Sequence, residues 1–210
     1  MMPFRTEKPV ENQAYHLFNR SIAGYRILEH RDDAERFFET ILYYNDDGHK
    51  TRFSLTESGE RLIPSGAPIV KIIAYCIMPT HFHLVLEPLL PDAVSHMLNL
   101  VLKSFSRYFN VRHNRRGPLW EGRFKLLRVD TTEELLHLTR YVHLNPVTSY
   151  LCEKPEDWAL SSYREYIGVR CRQVCDFSGR LEISSSSYSV FVNERASYQR
   201  ELAKIKHLLF

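Results

Sequence analysis

The chain has 210 residues, 44% hydrophobic and 25% charged, a composition that supports one well-buried core with an appendage and argues against wholesale disorder. A formal net charge of +3 is too small to name a partner. No apolar run approaches the roughly 18 residues of a membrane span, and the first ten residues carry no apolar targeting segment, so neither membrane insertion nor secretion is expected. The cysteines at 76, 152, 171 and 175 form no paired framework, which fits a reduced, cytoplasmic protein.

Residues 14–22, rich in Tyr, Leu, Phe and Ile and stopping near Gly24, predict a first strand. Asp32 and Asp33 are then placed to cap a helix in which Phe37, Phe38, Ile41 and Leu42 recur at helical spacing up to Asp46-Asp47-Gly48. Residues 50–68 are polar and broken by Gly59, Pro64, Gly66 and Pro68, a long surface excursion with no legible function. Two apolar runs, 69–78 and 81–87, are joined by Pro79-Thr80 and read as adjacent strands with a tight turn. From 92 to 110 the positions Val94, Met97, Leu98, Val101, Phe105, Tyr108 and Phe109 step three and four apart, an amphipathic helix whose polar side carries Lys103 and Arg107. A basic turn, His113 to Pro118, leads to a short strand at 124–129. The next helix covers 131–145, with Thr131 and Glu134 spaced as a capping box and Pro146 expected to end it.

The order β-α-β-β-α-β-α predicts an α+β fold, a ferredoxin-like sandwich whose helices after the first and third strands pack on one face of a mostly antiparallel four-stranded sheet. Residues 1–150 form that unit. Residues 151–210 change character and predict a helical C-terminal extension packed on it, ending in a helix over 188–210 with Phe191, Val192, Tyr198, Leu202 and Ile205 as its buried stripe.

His81-Phe82-His83 lies in the third predicted strand. Residues two apart on a strand share a face, so Phe82 enters the core while the two imidazoles converge on the other side. Spacing alone leaves two ordinary histidines as the commoner outcome and a divalent-metal site with open positions as the sharper one. On the helix over 131–145, His137, Tyr141 and Asn145 are four apart and form one row, with Leu135, Leu138 and Val142 on another side. A cation near a phenol favours phenolate, which attacks phosphorus, and the Asn145 amide oxygen is placed to add a third ligand. Between 101 and 128 eight Lys and Arg face Glu121 alone, a local basic surface suited to a nucleic-acid backbone or, more plainly, a solvated helix face.

Four blocks in order carry a family resemblance: Tyr15-His16-Leu17-Phe18-Asn19-Arg20, then Ala74 to Leu84 with Met-Pro-Thr-His-Phe-His at its centre, then Leu119-Trp120-Glu121-Gly122-Arg123-Phe124-Lys125, then Tyr141-Val142-His143-Leu144-Asn145-Pro146-Val147. Together they resemble the IS200-like single-tyrosine (HUH) transposases, most of all the branch associated with REP repeats, and Trp158, Ser161-Ser162-Tyr163 and Tyr166 extend the likeness into the tail. The resemblance implies a transposase-type, metal-dependent endonuclease and strand transferase acting on single-stranded DNA beside hairpin repeats. It implies Tyr141 as nucleophile, His81, His83 and Asn145 as ligands of Mg or Mn, and a 5'-phosphotyrosine intermediate. Lys103, Arg107, Arg115, Arg116, Trp120, Arg123 and Lys125 become candidate DNA contacts, and either a monomer or a homodimer is compatible with it. Thr148-Ser149 departs from the Arg-Ala that many relatives carry, which removes one cation. The rival readings are a domesticated, non-cleaving hairpin or single-stranded DNA-binding protein and, more remotely, a Zn-dependent hydrolase.

Overall fold

The computed structural model describes residues 8–48, 52–53, 66–169 and 173–195. Its strands are β1 (Tyr15–Arg20), β2 (Val70–Ile77), β3 (His81–Pro88) and β4 (Lys125–Arg128), and its main helices are α1 (Arg31–Tyr44), α2 (Ala93–Arg112) and α3 (Thr132–Thr148). The sheet order is β2-β3-β1-β4 with every neighbouring pair antiparallel. This is the expected ferredoxin-like arrangement, with α1 and α2 inserted after β1 and β3.

Alternation on the strands divides the side chains between two faces. Leu17, Phe82, Leu84 and Leu86 point toward α1 and α2, where Phe37, Phe38, Met97, Val101 and Phe105 complete one apolar core. A second core lies behind the sheet, where Ala74, Cys76 and Val85 meet Val142, Leu144 and Val147 of α3 and Tyr163, Tyr166 and Tyr188 of the C-terminal segment. The third helix therefore covers the face opposite the first two. A bulge in β2 between Ile72 and Ala74 changes which face its later residues serve, so that Tyr75 and Ile77 join the first core while Cys76 joins the second.

Several local expectations are corrected. His30, with extended angles, is the N-cap of α1, while Asp32 and Asp33 sit in the first turn. Acids there complement the helix dipole. Asp33 is buried and bonded to Arg112 and His113, which ties α1 to the end of α2. Most of the 50–68 stretch lies outside the described residues, but Phe53 is buried beneath the Arg36 guanidinium at 3.8 Å. Thr131 caps α3 as read, accepting from Glu134 N at 3.1 Å. Pro146 does not end α3, which continues to Thr148. The helix closes instead at Tyr150, in the left-handed region at φ +56°, with Leu151 N donating to Pro146 O at 2.9 Å and Tyr150 N to Val147 O at 3.2 Å. That pair of bonds satisfies the last carbonyls, and burial of Pro146 and Val147 holds the turn in helical form despite the missing amide.

After α3 the chain returns to the free edge of β2. Ile77 N donates to Leu160 O, Ser162 N to Tyr75 O, and Trp158 Nε1 to Ile77 O, all at 2.9–3.0 Å. Short helix α4 (Tyr163–Tyr166) and helix α5, over 185–195, complete the second core. The predicted terminal helix thus starts earlier than 188, and Tyr198, Leu202 and Ile205 lie outside the described residues. Among the described residues no helix is long and apolar enough to cross a membrane.

Candidate active site

The face behind the sheet is polar at one end. His16 on β1 and His83 on β3 both point there, because their neighbours Tyr15, Leu17, Phe82 and Leu84 take the opposite face. The His83 ring lies 5.1 Å from that of His81 and 5.1 Å from that of His16. Tyr141 on α3 stands edge-on above them, its ring 5.6 Å from His83 and 6.2 Å from His16. Packing of Val142, Leu144 and Val147 against the sheet anchors α3 and leaves Tyr141 at its rim, 44% exposed. The structure thus brings His81, His83 and Tyr141 together from two elements far apart in sequence.

Burial holds the three imidazoles neutral. It lowers His16 and His81 to a pKa of about 4 and His83 to about 2, with the neighbouring histidines and Arg20 adding to the shift at His83. Neutral imidazole is the form that donates a lone pair to a metal. His81 Nδ1 is bonded to Thr80 Oγ1 at 2.9 Å and His83 Nδ1 to His16 Nε2 at 2.9 Å. His83 Nε2 is buried with no hydrogen-bond partner among the described residues. A buried polar atom left without a partner is costly, and a bound cation is one way to satisfy a nitrogen lone pair. Asn145, one turn beyond Tyr141, is buried and donates its Nδ2 to Tyr141 O at 2.9 Å, which leaves the amide oxygen as its free end. Among the described residues no group of three or more His, Cys, Asp or Glu side chains is placed to hold a metal ion. The donor set fits a divalent cation.

The candidate DNA contacts do not form one surface. Lys125 lies 5.6 Å over the Phe18 ring, and Phe18 is 5.9 Å from His83, so this cation borders the site. The loop before β4 is tied to β1 by Glu121 N to Arg20 O at 3.0 Å and by the Ser21–Trp120 bridge, which carries exposed Arg123 to the same strand ends. Trp120 is corrected from a DNA contact to a core residue. It is 9% exposed and packed on Phe37, Phe82 and Phe105, since its partner Ser21 extends β1 and turns the indole toward α1 and α2. Arg115 is held by Asn110 Oδ1, Gly117 O and Pro118 O, facing the exposed Tyr25 ring, and Arg116 is exposed beside it. Lys103 and Arg107 lie on α2, across the sheet from Tyr141. With Arg36, Arg52 and Arg112 they line a groove of about 480 Å³.

Two residues near the histidines were not singled out from sequence. His16 bonds His83, and Arg20 acts on His81 and His83 through its charge. Their signal was present in the Tyr15–Arg20 block, where His16 interrupts the apolar start of the strand and Arg20 closes it. His137, by contrast, points away from the cluster and accepts from Arg140 at 2.7 Å.

Residues 67–145 match the model of the family described as Transposase IS200 like. This chain resembles the IS200-like transposases. The matched span begins just before β2 and ends at Asn145, so it contains His81, His83 and Tyr141. In fold, the chain superposes on a REP-associated tyrosine transposase bound to a REP hairpin with a TM-score of 0.60 at 16% identity, over 87% of this chain and 99% of that one. A Deinococcus radiodurans R1 protein provisionally named a transposase matches at a TM-score of 0.40 and 14% identity, over 68% of this chain and 95% of that one. No curated protein matches the sequence significantly. The likeness to the IS200-like family thus rests on the 67–145 segment, and the structural neighbour with the higher score supports the fold.

Proposed function

We propose that the chain is a metal-dependent single-stranded DNA endonuclease and strand transferase of the transposase type, with Tyr141 as its nucleophile. The observation that carries this is the half-exposed Tyr141 ring set 5.6 Å from His83, whose buried Nε2 has no hydrogen-bond partner among the described residues. His81, His83 and the Asn145 amide oxygen would hold Mg or Mn. When bound, such an ion polarises a phosphate oxygen and favours phenolate over phenol.

The chain's own groups do the rest. Lys125 and Arg123 hold the backbone on the open end of the site, and Phe18 offers a ring face beside it. The Tyr141 oxygen attacks phosphorus as the bond to the 3' oxygen of the upstream strand breaks. The phosphate stays joined to Tyr141 through its 5' side, and the departing oxygen takes a proton to become a free 3'-hydroxyl. Attack by a 3'-hydroxyl on the phosphotyrosine reverses the exchange and rejoins DNA. One phosphodiester replaces another at each step, so no nucleotide cofactor is consumed. The REP hairpin held by the structural neighbour suggests hairpin repeats as the substrate class.

Incubating the protein with a hairpin-bearing single strand and Mg or Mn, then resolving the mixture under denaturing conditions, tests this. A covalent protein–DNA adduct that disappears in Tyr141→Phe supports it. Hairpin binding without adduct under either metal would leave a non-cleaving DNA-binding protein.

A further inference from the structure

A histidine has two ring nitrogens, and the His-x-His spacing does not say which one faces an ion. At His83 the surrounding residues decide it. Its Nδ1 lies 2.9 Å from His16 Nε2, and the two rings stack at 5.1 Å with an interplanar angle of 22°. His16 opposes Val85 and His83 opposes Phe18 in the β1–β3 ladder, which makes the two imidazoles diagonal neighbours on one face. The other nitrogen of His83 is the buried, unpartnered Nε2.

One proton serves the contact between the rings, and it has two places to sit. On His16 Nε2, it would make His83 Nδ1 the acceptor and force the His83 proton onto Nε2, burying an N–H that no acceptor meets. On His83 Nδ1, the proton is donated to His16, and Nε2, on a ring 5.1 Å from that of His81 and 5.6 Å from that of Tyr141, carries a bare lone pair. In either tautomer Nε2 meets no hydrogen-bond partner among the described residues, but only a bare lone pair there can be satisfied by a cation, whereas an N–H repels one. We infer that His16 is a positioning residue that accepts the Nδ1–H of His83 and so fixes the tautomer and ring angle in which Nε2 is presented to a divalent cation. A hydrogen bond on the second nitrogen is what orients and strengthens imidazole ligands generally. His16 is itself no ligand in this arrangement, because its Nε2 is spent on the bond. Phe18 at 4.9 Å and Tyr141 at 6.2 Å flank the His16 ring and limit its rotation. The inference rests on the proposed function, because a cation is what makes the bare Nε2 the better-satisfied form; the tautomer itself is read in the metal-free protein.

Nitrogen-detected NMR of the histidine rings in the metal-free full chain reads the tautomer directly. The proton is expected on Nδ1 of His83, and a proton on Nε2 overturns the inference whatever else is found. Titration with Mn, followed by its electron paramagnetic signal, supplies the second readout. His16→Phe keeps an aromatic ring but removes the acceptor, and Mn binding is expected to weaken about 10- to 100-fold. His16→Gln restores an acceptor oxygen at similar reach, and is expected to bind Mn within about threefold of the parent, a small fraction of that 10- to 100-fold loss. Unchanged binding in His16→Phe, or equal loss in both variants, overturns the positioning role. If His16→Phe does not fold by circular dichroism, the tautomer of the parent and the Gln variant decide. Failure of the parent to form a DNA adduct, with the Nδ1 tautomer intact, would sink the phosphotyrosine chemistry and leave this inference standing.

Discussion

The two faces of the sheet are built from the same strands and do different work. Toward α1 and α2 the strands present mostly apolar side chains, and aromatic rings from Phe37, Phe82, Phe105 and Trp120 interlock. Behind the sheet the same alternation delivers His16, Phe18, His83, Val85 and Glu87. At one end of that face the C-terminal segment closes over Val85 and Glu87, with Arg180 Nε 2.7 Å from the Glu87 carboxylate. At the other end nothing described covers His81 and Tyr141 as fully. One face stabilises, and the other spends part of its burial on keeping neutral imidazoles under a reachable phenol. Core packing and the proposed chemistry are thereby separated by one residue step along β3.

That separation is sharpest at adjacent residues. His83→Ala is expected to lower adduct formation on the order of 100-fold or more, by loss of a ligand, with little change in urea unfolding. Leu84→Ala, one step along at a fully buried position, is expected to cost about 2–5 kcal/mol of stability by urea titration, through lost transfer energy and a cavity. If the two variants exchanged these phenotypes, the division of the faces would be wrong. A smaller effect is expected at Ser162, which accepts from Tyr75 N at 2.9 Å and bonds His143 Nε2 at 2.7 Å, while Tyr188 bonds the other ring nitrogen at 2.6 Å. Ser162→Ala leaves buried partners unsatisfied and should cost about 1–3 kcal/mol by the same titration. Smallest are the surface charges. Lys125→Glu should weaken binding of a hairpin-free single strand and reduce the salt slope by about one, while Lys103→Glu, across the sheet, should change that slope less.

Much of this was legible before the structure. The stripe from Val94 to Phe109 and the alternation through His81, Phe82 and His83 are local periodicities, and local periodicity survives folding. Periodicity placed Tyr141 in a row four apart on a helix, and only the family resemblance singled it out there as a nucleophile. What escaped depends on pairings distant in sequence. His16 matters only because β1 and β3 align in one register, and a strand's partner and offset are not written in its own residues. For Trp120 the sequence left base stacking and core packing both open, and the bridge at Ser21, distant in sequence, turns it inward. Pro146 read as a stop because the missing amide and ring clash act against a helix. Burial of Pro146 and the bonds closing at Tyr150 outweighed that local cost. The basic run was a true surface feature, but a linear count could not show that Lys103 and Lys125 serve opposite faces.

The most direct test of the account is the identity of the linked residue. The chain has 12 tyrosines, and Tyr25, Tyr141 and Tyr150 are the exposed ones among the described residues. Digesting the protein–DNA adduct with protease and nuclease, then sequencing the modified peptide by mass spectrometry, locates the attachment. The account predicts a 5'-nucleotide phosphate on Tyr141 alone. Attachment at Tyr25, Tyr150 or any other side chain would contradict it.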